Sequence, residues 1–166
     1  MQANELYQAI DPAVIQDMFS WMRETEKDLY KTSLSTLANN RKLRPVFVQK
    51  KSIPDQITWM HNTLKLRTSN TIGEHLLQVW FMQGQKDLLV TFCDNMDIKH
   101  NGEGAVEGDL PESLDAEKLK TSVDTLVEKY DPKVVTLYLQ IFNMQTEDGW
   151  PALTEALVTD ERLKLA

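Results

Sequence analysis

Twice in this chain an aliphatic or aromatic residue is followed by Asp-Pro, one further residue and a branched apolar pair: Ile10-Asp11-Pro12-Ala13-Val14-Ile15 and Tyr130-Asp131-Pro132-Lys133-Val134-Val135. Both stretches read as helix starts. Asp stands where an N-cap carboxylate accepts from the unpaired N–H groups of the first turn, and Pro takes the first helical position, where its missing donor and fixed φ suit the helix. Ile10 with Ile15, and Tyr130 with Val135, lie at the spacing of a hydrophobic staple. Pro54 and Pro151 likewise precede apolar-periodic segments, so proline here opens helices instead of breaking strands.

The segments behind these prolines repeat at helical spacing. Val14, Ile15, Met18, Phe19 and Met22 share one side. Their register runs on through Leu29, Tyr30, Leu34, Leu37 and Ala38, either as one long helix or as two with a break near residues 24–27. Ile57, Met60 and Leu64 mark a further helix, as do Ile72, Leu76, Val79 and Trp80, and then Leu88, Leu89, Phe92, Cys93 and Met96. Leu119, Val123, Leu126 and Val127 precede the Asp131-Pro132 helix, and Leu153, Ala156 and Leu157 close the chain. Val46-Phe47-Val48 is the best strand candidate, yet it has no partner strand. A short helix begun by Pro45, or an extended connector, is the expectation there. These features predict an all-α protein, an irregular bundle of about seven or eight helices in a single domain over residues 1–166. A long glycine-containing loop is expected at 97–113, between helices.

With 166 residues, 42% hydrophobic and 26% charged, the chain can bury a core without staples. Cys93, the single cysteine, excludes an internal disulfide and is expected as a small core residue. No apolar run approaches the ~20 residues that span a bilayer, so no membrane association and a cytoplasmic location are expected.

Catalytic and cofactor motifs fail on spacing. Gly102, Gly104 and Gly108 imitate a dinucleotide loop, but the last glycine is one position late and no strand precedes it. From Asp97 the same loop begins like a calcium site, yet Lys99 occupies an oxygen-ligand position. Asp97 and His100 have the spacing of half a carboxylate-bridged metal pair, and no second half exists. No nucleophile elbow, zinc-protease motif or phosphate loop occurs. His61, His75 and His100 share no spacing, and His75 is expected at the edge of a core. No catalytic residue, metal or cofactor is therefore predicted.

Two features remain. The run Arg41-Lys42-Leu43-Arg44-Pro45-Val46-Phe47-Val48-Gln49-Lys50-Lys51 holds five cations and no acid. Residues Arg41, Lys42, Arg44, Lys50 and Lys51 form a candidate anion site, with Phe47 as a stacking face. Pairing of this run with acids of the same chain is the expectation that ranks ahead of it, because the net charge of −7 opposes a polyanion. In the Asp131-Pro132 helix, only Lys133, Thr136, Gln140 and Asn143 interrupt an otherwise apolar circumference. Such a helix is either the centre of its bundle or, in part, an interface, and Tyr138 and Phe142 are the candidate interface residues, most simply in a homodimer. The functional expectation is a non-catalytic protein-interaction or regulatory module, partnered by a second copy or another protein. Nucleic-acid or other anion binding through 41–51 ranks second, and an enzyme of unrecognised type third.

Overall fold

The computed structural model describes residues 1–166 and contains helices but no strands. Ten α-helices follow one another: α1 (Ala3–Ala9), α2 (Pro12–Thr25), α3 (Lys27–Asn40), α4 (Pro45–Gln49), α5 (Ile53–Leu64), α6 (Asn70–Val79), α7 (Lys86–Asn95), α8 (Ala116–Lys129), α9 (Pro132–Asn143) and α10 (Pro151–Thr159). No helix is long and apolar enough to cross a membrane. The helix starts form as their sequences dictate: Asp11 accepts from Ala13 N and Asp131 from Lys133 N, each at 2.9 Å. The α2–α3 register is broken at Glu26, whose φ of −132° and ψ of 60° separate two helices. The larger number of helices than the periodicity suggests comes from α1 and α4, which are too short to show a repeating face.

The chain divides into two compact units, Met1–Trp80 and Phe81–Ala166. The boundary falls within a wide π-type turn at Trp80–Gly84. In the first unit, α2 packs on α3 and α5, and α1 packs on α5 and α6. Ile15, Met18, Phe19, Met22, Leu37, Met60 and Leu64 fill its interior. Gly73 lets α6 approach α1: a Cβ there would stand 2.9 Å from Tyr7 Cε2. The Tyr7 hydroxyl donates to Gly73 O at 2.8 Å across the same contact.

In the second unit, α8 packs on α7, α9 and α10, and α9 packs on α10. Phe92 of α7 reaches Tyr138 and Phe142 of α9 at centroid distances of 5.4 and 5.1 Å. Trp150 stacks on Phe142 at 4.8 Å and donates its indole N–H to Pro111 O at 2.8 Å. That bond ties the long loop to the aromatic cluster. Cys93 is fully buried.

Candidate functional site

The basic run 41–51 folds as a knuckle between α3 and α5. After Asn40 the chain closes with Lys42 N–H on Asn39 O and Leu43 N–H on Ala38 O, both at 2.9 Å. This is the bond pattern of a Schellman motif, and it places Lys42 at φ +55°, in the left-handed region usually held by glycine. Pro45 then starts α4 from an extended Arg44, as a residue before proline prefers.

Two side chains anchor the knuckle. Val48 is the buried face of α4. The Gln56 side-chain amide donates to Gln49 O at 3.0 Å and Lys51 O at 3.1 Å, while its oxygen accepts from the Tyr30 hydroxyl at 2.9 Å. Every polar atom of this buried amide is used, which fixes the end of α4 against α3 and α5.

What the anchors leave outside is unusual in composition. Leu43, Val46 and Phe47 are 39%, 43% and 57% exposed. Three of the chain's seven exposed large apolar side chains thus fall within five residues. Around them, Arg41 is engaged, lying 6.0 Å from the Trp59 ring and donating to Thr63 Oγ1 at 3.4 Å. The side chains of Lys42, Arg44, Lys50 and Lys51 are exposed and make no hydrogen bond or ion pair. The pairing with acids expected from the sequence is not made by these four groups. All five candidate anion residues are exposed on this one turn, with exposed apolar neighbours that the charge pattern alone did not single out.

The second candidate set lies elsewhere. Tyr138 and Phe142 are 5% and 1% exposed and sit inside the aromatic cluster of the second unit, where burial pushes the Tyr138 hydroxyl pKa up. They present no surface to a partner. α9 is the central helix of the two possibilities, and even Thr136 of its polar stripe is buried, with its hydroxyl donating to Pro132 O at 2.7 Å. The histidine expectation also shifts: His75 is exposed, while His61 is the buried ring.

The 97–113 loop is internally bonded. His100 and Val106 form an isolated antiparallel bridge, Asn101 N–H donates to Ala105 O at 3.0 Å, and Glu107 N–H to Lys99 O at 2.9 Å. Gly104 lies hard against α7, where a Cβ would fall 2.3 Å from Leu89 Cβ. Beside the loop lies an open cleft of about 330 Å³ lined by residues that include Asp97, Lys99, Glu107, Asp109, Ser113 and Asp115. Asp97 is paired with Lys118, and Glu107 with Lys99 at 3.9 Å. No group of three or more His, Cys, Asp or Glu side chains is placed to hold a metal ion. The thiol of Cys93 is pushed up to about 11 by burial and then by Asp94, which leaves it protonated and unreactive near neutrality.

No protein-family model matches the chain, and no curated protein or solved structure matches it.

Proposed function

We propose that this chain is a non-catalytic protein-interaction module whose docking surface is the 41–51 knuckle, and that its partner segment is acidic with apolar residues on the same face. The observation that carries this reading is the coincidence of three exposed apolar side chains with four unpartnered cations on one anchored turn. Exposed apolar surface at a fixed position gains from being covered, and the surrounding charge selects what covers it. Leu43 and Val46 have nothing to offer a phosphate backbone, whereas both contribute against a helix or strand carrying Leu, Ile or Phe. The exposed Phe47 ring among cations favours a second reading, in which unpaired bases stack on it.

Selection of random phage-displayed peptides on the immobilised chain tests the proposal. Bound sequences should combine Asp or Glu with large apolar residues, and Phe47→Ser or the pair Arg44→Gln and Lys50→Gln should each weaken them about tenfold, or ~1.4 kcal/mol. Peptides without acids, or indifferent to both variants, overturn the docking surface. A gel shift with single-stranded RNA or DNA that falls steeply with salt would instead support the second reading.

A further inference from the structure

Asn101-Gly102 is the chain's one Asn-Gly pair, and it lies exposed in the 97–113 loop. In such a pair the main-chain nitrogen of the second residue can close on the asparagine side chain, because glycine has no Cβ to obstruct the approach. Around these atoms the loop gathers the groups that the closure requires. Gly102 N–H donates to His100 Nδ1 at 3.0 Å, and Gly104 N–H points to the same nitrogen at 3.4 Å. Two donors facing Nδ1 assign the ring proton to Nε2, which donates to Asp94 Oδ1 at 2.8 Å. On the other side, Asn101 Oδ1 accepts from Glu103 N–H at 2.9 Å and from Ala105 N–H at 3.3 Å.

We propose that residues 100–105 form a self-modifying site, at which Asn101 converts through a cyclic imide to aspartate and isoaspartate with His100 as the base. His100 Nδ1 removes the proton from Gly102 N, and the freed electron pair forms a bond to Asn101 Cγ. The carbonyl pair moves onto Oδ1, where the two N–H donors already aimed at it hold the developing charge. On collapse, the bond from Cγ to Nδ2 breaks, Nδ2 takes the proton back from His100, and ammonia leaves. Asp94 is a positioning residue: it fixes the tautomer and stabilises the ring while it carries the extra proton. Solvent water then opens the imide at either carbonyl, and nothing is oxidised or reduced. The only charged side chain bonded to the His100 ring is Asp94, since Glu103 turns to Lys86 at 3.4 Å and Glu107 to Lys99 at 3.9 Å. Gly104 against Leu89 and the bond from Asn101 N–H to Ala105 O keep the parts assembled before reaction.

The test incubates the intact chain at neutral pH and follows Asn101 by peptide mass spectrometry and enzymatic isoaspartate methylation, beside a free synthetic peptide covering residues 98–105. Asn101 in the folded chain should convert about tenfold or more faster than in the peptide, and His100→Gln should remove that advantage. Because the loop itself supplies the base, the folded-chain rate should climb less steeply with hydroxide concentration than the peptide rate. Asn101 surviving as long in the chain as in the peptide, or converting at an unchanged rate in a folded His100→Gln variant, overturns the proposal. If that variant unfolds, the peptide comparison and the pH profile of the unsubstituted chain decide the matter.

Discussion

His61 donates its Nε2–H to the Tyr7 carbonyl oxygen at 2.8 Å, and its ring stands edge-on to the Tyr7 ring at 6.2 Å. Its pKa is lowered from the ordinary 6.5, chiefly by burial, with the bond to Tyr7 opposing and Lys65 adding to the shift. A histidine whose folded pKa is depressed contributes stability that is present above the unfolded value and lost as pH falls through the folded one. The urea midpoint of the native chain should therefore drop on acidification below about pH 6.5, and His61→Gln should flatten that part of the profile. An equally steep fall in the variant would assign the loss to other groups. At this scale the sequence was only partly legible. Ile57 and Leu64 flank His61 at helical spacing and mark it as inward-facing, a signal outweighed by the apolar neighbours of His75. The hydrogen bonds of Gln56 and His100 left no trace in the sequence, because they reach backbone and side-chain atoms whose positions depend on the turns between them.

Whole elements were more legible than single residues, and α9 shows why. Its Asp-Pro start, its length and its nearly continuous apolar circumference could all be read directly, since capping and periodicity are local properties. What covers that circumference is not local. Phe92, from α7, and Trp150, from beyond the end of α9, close over Tyr138 and Phe142, so the same pattern that suggested an interface marks a core helix. Phe142→Ala should accordingly cost about 3–5 kcal/mol in chemical denaturation, the range for emptying a buried aromatic site. A loss under ~1 kcal/mol, with a change in partner binding, would return the residue to the surface. α4 teaches the converse lesson. Val46-Phe47-Val48 has the composition of a strand, but Pro45 sets a helical φ and the Gln56 clamp holds the turn, so packing overrides propensity.

For the molecule as a whole, charge follows the compact units. Residues 1–80 carry ten Lys/Arg against eight Asp/Glu, and residues 81–166 carry eight against seventeen, giving +2 and −9. With Tyr138 and Phe142 covered, the case for a dimer through α9 disappears. A two-fold contact through the knuckle would set Lys42, Arg44, Lys50 and Lys51 against their own copies, which like-charge repulsion opposes. Size exclusion with light scattering at micromolar concentration should give a 19.1 kDa species at low and moderate salt. A dimer that strengthens as salt is raised would show that screening lets the apolar knuckle residues meet.

Lys42 has a consequence for anyone wishing to make this protein more robust. Its left-handed backbone is the conformation in which an L side chain costs roughly 1–2 kcal/mol, and the standard remedy at a helix end is glycine. That exchange would also delete one of the four free cations of the proposed docking surface. Thermostabilisation and the proposed recognition thus compete for a single position, and a library screened for heat resistance alone would drift toward a sturdier chain with a less basic knuckle.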